Sequence, residues 1–178
     1  MNEINFLPFP VLQTARLILR QLSPEDDKTI FLIRSNEEMG KYLNRPKAET
    51  IEDAQNFISK INEGIKNNNS VYWGVALKNN PEIVGTICLW NLSDDGIKAE
   101  IGFELLPKYQ GRGIMREAVE KVIDFGLNEM KLKSIEGEVD PENLRSINLM
   151  KKFGFIKKES EQSSSDENLK TVIYQLSK

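Results

Sequence analysis

Residues 110–116, Gln110-Gly111-Arg112-Gly113-Ile114-Met115-Arg116, place two glycines and two arginines where an apolar strand gives way to a helix. Glycine permits close backbone approach and left-handed conformations. The helix behind such a loop leaves its first N–H groups without intrahelical acceptors, at the positive end of its dipole. That combination suits an anion, most often a phosphate; the alternative is a plain strand-to-helix turn, which uses glycine equally well. Upstream, Glu100 and Glu104 flank Gly102, and a strand's period of two puts all three on one face. Downstream, Asn143 and Ser146 begin another helix. There is no histidine, which removes Ser-His and Cys-His catalysis and histidine-assisted zinc sites. The single cysteine, Cys88, stands between Ile87 and Leu89 in a strand, a packing position without an activating base.

Two common phosphate loops do not fit. A Walker loop requires lysine and a hydroxyl after its second glycine, and here Gly113 is followed by Ile114 and Met115. A dinucleotide fingerprint requires a small residue where Arg116 stands, and it belongs to a first βαβ unit rather than late in the chain. The 178 residues, 39% hydrophobic and 29% charged, are read as a single domain over 1–178. A net charge of −3 argues against general nucleic-acid binding. No apolar run approaches the ~20 residues that span a bilayer, and Met1 to Pro10 lacks a secretion pattern. With one cysteine the expected setting is the cytoplasm, away from membranes.

The elements that must hold these residues follow from hydrophobic spacing. Residues 1–13 read as an irregular arm and 15–21 as a first strand. Ser23-Pro24-Glu25-Asp26 starts a helix that dissolves near Asn36, and 40–49 is a polar connection. Thr50-Ile51-Glu52-Asp53 opens a second helix, closed by Asn67-Asn68-Asn69. Strands at 70–78 and 82–92 meet at Asn79-Asn80-Pro81, and 98–106 is the next strand. A helix over 114–129 buries Ala118, Val119, Val122, Ile123, Phe125 and Leu127. A strand at 133–139, a helix from Asn143 to Phe153-Gly154, and a hairpin of 154–159 with 169–176 across Ser163-Ser164-Ser165 complete the chain. That order predicts a mixed α/β (α+β) domain around a central sheet.

Gln110-Gly111-Arg112-Gly113-Ile114-Met115 resembles the acyl-CoA loop of the GNAT N-acetyltransferase superfamily, with Met115 in place of its small last residue. Thr14-Ala15-Arg16-Leu17-Ile18-Leu19-Arg20, Ile83-Val84-Gly85-Thr86-Ile87 and Ala99-Glu100-Ile101-Gly102-Phe103 resemble three strands of its ribosomal-protein-alanine N-acetyltransferase branch. Asn143-Leu144-Arg145-Ser146 through Gly154-Phe155 resembles the branch's downstream helix. The resemblance spans about 14–158 in family order. It implies a mostly antiparallel sheet of about seven strands with about four helices, and a splayed strand pair at the CoA site. It implies acetyl-CoA as cosubstrate, no metal, and direct transfer to a primary amine, a protein N-terminus by resemblance to the branch. A small-molecule amine (polyamine, amino acid or antibiotic) is the alternative acceptor, and a non-catalytic acyl-CoA sensor the alternative of another class. A homodimer is a family-level expectation.

The same resemblance assigns roles. Backbone N–H groups of Gln110, Gly111, Arg112, Gly113, Ile114 and Met115 would hold the pyrophosphate, with side-chain contacts from Arg112 and Arg116 unless these are solvated surface arginines. Backbone groups of Phe103, Leu105 and Leu106 would hold the pantetheine arm and polarise the thioester carbonyl. Without histidine a carboxylate is the natural base: Glu100 first, Glu104 second. Many relatives protonate the leaving thiolate with a tyrosine where this chain has Met150; by resemblance Ser146, one helical turn earlier, would be the donor in its place, would only orient the sulfur, or is a filler on a half-buried face. Asn143 would contact the arm, or cap its helix. Tyr42, Trp73 and Trp90 would line an acceptor pocket or pack in the core.

Overall fold

The structure, a computed structural model, describes residues 5–43, 45–159 and 171–178. One sheet carries β1 (Leu12–Gln13), β2 (Leu17–Arg20), β3 (Val71–Leu77), β4 (Asn80–Trp90), β5 (Lys98–Leu105), β6 (Ser134–Val139), β7 (Ile156–Lys157) and β8 (Val172–Ser177). Their spatial order is β1-β2-β3-β4-β5-β6-β8-β7. Every neighbouring pair is antiparallel except β5 and β6, which run parallel. The helices are α1 (Asp27–Ser35), α2 (Glu37–Gly40), α3 (Ile51–Lys66), α4 (Ile114–Asp124) and α5 (Leu144–Lys152).

Alternation along the strands sorts the core into two faces. On one, Ala76 and Ile83 meet Ile30 of α1 and Ala54 and Ile58 of α3. On the other, Leu17, Leu19, Trp73, Val75, Ile87 and Leu89 pack with Ala118, Val119 and Val122 of α4. Local chemistry sets the helix ends. Thr50 and Asp53 form a reciprocal capping box at α3, and Ser23 with Asp26 does the same ahead of α1. Asp26 is buried because Arg20 grips both its oxygens at 2.8 Å.

The mixed, mostly antiparallel sheet is as expected, and four details of the fold differ. Among the described residues the sheet, expected at about seven strands, has eight, because the arm read over 1–13 ends in a strand: Leu12 is buried and Leu12–Gln13 pairs with Ile18 and Leu19 around a turn held by Thr14. The polar connection after α1 contains α2, whose cap Asn36 accepts from the Met39 N–H at 2.9 Å, so five α-helices are described. The helix read as 114–129 is α-helical only to Asp124 and widens into a π turn over Phe125–Glu129. There Gly126 lies so close to Leu89, Leu132 and Ile135 that a Cβ would meet them at 3.0–3.3 Å. β7 is confined to two residues, and the loop around Ser163-Ser164-Ser165 lies outside the described residues.

Candidate active site

The parallel pair β5–β6 is joined for only three residues a side, Lys98–Glu100 against Ser134–Glu136. β5 continues to Leu105 and β6 to Val139, so the strands part and expose unpaired backbone edges. The Leu106 N–H donates to the Val84 carbonyl at 3.0 Å. Because antiparallel pairing alternates, Glu104 and Gly102 also turn their main-chain groups toward β4, while Ile101, Phe103 and Leu105 turn theirs toward the gap. Phe103 and the Leu105 N–H therefore face the gap where an extended amide-bearing arm would lie, whereas the Leu105 carbonyl accepts from the Gln110 amide and the Leu106 N–H is taken by Val84.

The gap opens into a cleft of about 790 Å³, walled by residues 101–105 of β5, 137–139 of β6, residues 110, 111 and 113–116 of the loop and α4, and the start of α5. Gly111 and Gly113 hold left-handed φ values of 75° and 73°, conformations that a side chain would strain. Gly113 caps α4, and its carbonyl takes the first helical bond from Glu117 at 3.1 Å. The Gln110 amide donates to the Leu105 carbonyl at 2.9 Å and ties the loop to the strand end. Ile114 and Met115 are buried in the core, so at these positions only backbone can serve an anion. This explains why a methionine fits at 115. Arg116 borders the cleft; Arg112 is exposed, lies 6.0 Å from the Tyr109 ring centroid, and is not among the cleft-lining residues.

Ser146 and Asn143 stand on the opposite wall. Asn143 is a helix cap, its Oδ1 accepting from the Ser146 N–H at 3.2 Å, which leaves its amide N–H groups for a ligand. α5 lies tightly on β6: a Cβ on Gly137 would fall 2.4 Å from the Met150 sulfur.

The two carboxylates are not brought together. Four residues of strand separate them by about 13 Å. Glu104 faces the cleft, and its Oε1 is 2.6 Å from Nη2 of Arg45. Burial raises its carboxyl above the ordinary range, and Arg45 opposes that rise. Arg45 also donates to the Ile33 and Arg34 carbonyls at 3.1 Å each, so it fastens the segment after α2 to both α1 and β5. Nothing in the spacing of the sequence marked Arg45. Glu100 lies in a smaller depression with Asn91, Asp94 and Glu136, at the end where β5 and β6 still pair. Burial, with the Glu138 and Glu136 charges behind it, pushes the Glu100 carboxyl up to about 7, against a 3.4 Å hydrogen bond from Asn91.

The sequence profile of the acetyltransferase (GNAT) domain matches residues 16–156. The chain belongs to the GNAT acetyltransferase family. It is an N-acetyltransferase. It is 34% identical over 149 residues to the uncharacterized N-acetyltransferase YoaA of Bacillus subtilis, covering 84% of each chain. Over 101 residues it is 29% identical to the ribosomal protein uS5-alanine N-acetyltransferase of Escherichia coli, covering 56% of this chain and 52% of that one. A GNAT-family acetyltransferase structure from Bacillus anthracis superposes with a TM-score of 0.81 at 26% identity, covering 94% and 98% of the two chains.

In this acetyltransferase the remaining candidates separate by burial. Trp73 is wholly buried, and its Nε1 donates to the Pro10 carbonyl at 2.7 Å, so it is core. Trp90 is 46% exposed and sits directly across from Glu100 on β4; Tyr42 lines the cleft. Burial pushes the Cys88 thiol up to about 12, so it stays protonated and is no nucleophile. Among the described residues no group of three or more Cys, Asp or Glu is placed to hold a metal, and no helix is long and apolar enough to cross a membrane.

Proposed function

We propose that this acetyltransferase moves acetyl directly from acetyl-CoA to a protein N-terminal amine in a ternary complex. The observation that carries the reading is the parting of β5 from β6 after three paired residues, with a glycine loop at one end of the gap and Ser146 on its wall. The pantetheine arm pairs with the free edge at Phe103 and Leu105, and a backbone N–H there polarises the thioester carbonyl. The Gln110 N–H is spent on the Pro107 carbonyl at 3.1 Å, so N–H groups of residues 111–116, together with the Arg116 side chain, take the pyrophosphate. Ser146 meets the leaving thiolate. Asn143 supports the arm.

Glu100, with its carboxyl near 7, stands outside the main cleft, and it accepts the ammonium proton through a relay of waters along β5. An α-amino group has a pKa of about 8 and lies within easy reach of such a base, whereas a lysine or polyamine amine near 10.4 does not. That match, and the likeness to the uS5-alanine enzyme, favour a protein N-terminus in the cytoplasm. Glu104 is held by Arg45 and serves as wall rather than base.

The test is thiol release from acetyl-CoA against two panels: peptides with free N-termini, and polyamines, amino acids and aminoglycosides. Peptide acetylation at the α-amine supports the reading. Turnover restricted to small amines overturns the acceptor assignment, and CoA binding without turnover on either panel overturns catalysis. Ser146→Ala is expected to lower kcat with little change in the KM for acetyl-CoA.

A further inference from the structure

The segment Thr14-Ala15-Arg16 precedes β2, far in sequence from the cleft, yet it reaches the back of the glycine loop. Glu117, in the first turn of α4, accepts from the Thr14 hydroxyl and the Arg16 N–H through Oε1, the latter at 2.9 Å. Its Oε2 accepts from Nε of Arg16 at 2.6 Å. The other end of the same guanidinium, Nη1, donates to the Arg112 carbonyl at 2.9 Å. Nη2 lies 3.4 Å from where a Cβ on Gly113 would stand. One arginine thus bridges the helix's first turn and the loop's central peptide.

Two physical consequences follow. A trans peptide is planar, with its C=O and N–H pointing in opposite directions. By holding the Arg112 carbonyl, Arg16 turns the Gly113 N–H to the other side of the loop, and Gly113 borders the cleft. The second is electrostatic. A carboxylate in the first turn steadies a helix through its dipole, but here it shares that positive end with an incoming pyrophosphate. Arg16 and Thr14 neutralise and occupy it; their hydrogen bonds overcome burial and hold the Glu117 carboxyl below its usual range.

We propose that Arg16 is a positioning residue for the acyl donor: with Thr14 and Glu117 it sets the Arg112–Gly113 peptide and screens the Glu117 charge from the pyrophosphate. This rests on residues 110–116 being the pyrophosphate grip. A role through phosphate is separable from a general structural one, because pantetheine carries the arm but no phosphate. The affinities of CoA and pantetheine are measured by calorimetry and by displacement.

Arg16→Gln is expected to weaken CoA about tenfold, equivalent to about 1.4 kcal/mol, and to leave pantetheine unchanged. Adding Glu117→Gln to Arg16→Gln removes the uncovered charge and recovers part of the CoA affinity without recovering lost thermal stability. Arg16→Lys keeps the charge but has no fork to serve both partners, and falls in between. Thr14→Val is a milder lesion in the same direction, for use if Arg16→Gln does not fold. Unchanged CoA affinity, equal losses for CoA and pantetheine, or no recovery in the double variant would each overturn the proposal. Gly113→Ala checks the grip itself. If it weakens CoA while Arg16→Gln does not, the Arg16 role alone is lost; if it leaves CoA unaffected, the grip is lost as well.

Discussion

Replacing Glu100 by glutamine separates its catalytic use from its structural cost. Its carboxyl stands near 7 rather than 4.5, because burial and the neighbouring Glu138 and Glu136 disfavour the ionised form. At pH 6 about one-tenth of such a group is ionised and at pH 8 about nine-tenths, so wild-type kcat should climb about tenfold between them. Glu100→Gln removes that rising limb and lowers kcat by about 10²–10⁴-fold. The stability effect has the opposite sign. A carboxyl raised in the folded state contributes stability below its unfolded value of 4.5, and that contribution is lost as pH rises through about 7. The full equivalent is about 3.4 kcal/mol; the side chain is only half-buried, so about 1–2 kcal/mol is the realistic cost after screening. Glu100→Gln should therefore melt at the wild-type temperature at pH 4 and about 2–8 °C higher at pH 8. Substitutions at its neighbours move the same limb in opposite directions. Asn91→Ala removes a bond that favours the carboxylate and shifts the limb to higher pH, while Glu138→Gln removes a like charge and shifts it lower. Thiol release with a free-N-terminal peptide and thermal melting across pH give all the readouts. Wild-type turnover in Glu100→Gln with the acid limb intact would refute the base assignment, and an unraised melting temperature at pH 8 would refute the electrostatics behind it.

Three further outcomes follow from the same geometry. Arg45→Gln strands the Glu104 carboxylate at a site where both side chains are 14% exposed, and should cost about 3–5 kcal/mol in urea unfolding, partly restored by adding Glu104→Gln; an unchanged midpoint would remove the pair as the fastener of the segment after α2. Gly85→Ala places a Cβ 2.4 Å from the Glu104 carbonyl, so β5 must shift: about 1–3 kcal/mol of stability and much of the acetyl transfer should go, and full activity would show that β5 tolerates movement. Cys88→Ala should keep wild-type turnover, and mass spectrometry should find no acyl group on Cys88 in the wild type after acetyl-CoA, because a thiol pushed up to about 12 is not ionised near neutrality.

Most of the frame was legible because its signals are local. Capping residues at Ser23 and Thr50, the alternation of Leu17 and Leu19, and the glycines before α4 each act within a few residues of chain. Boundaries were missed where packing outweighs propensity: Leu12–Gln13 is too short to show a period, and the π turn after Asp124 answers to Leu89 and Ile135, not to its own sequence. At the site, Ser146 and Asn143, singled out from sequence, line the cleft, while the engagement of the Leu106 N–H by Val84 depends on strand register that no local spacing records.

By itself, the sequence determined the chemistry available: no imidazole, one thiol between apolar neighbours, a glycine pair ahead of a helix, and a carboxylate-bearing strand before it. These depend on residue identity and near spacing alone. Only the tertiary structure decided how that chemistry is divided. It split β5 from β6 after three pairs, put Glu104 against Arg45 across 59 residues of chain, left Glu100 among like charges, and brought Arg16 behind a loop 96 residues away. Hydrogen bonds and desolvation act through space, and no short-range pattern in a chain records which distant groups folding will make neighbours.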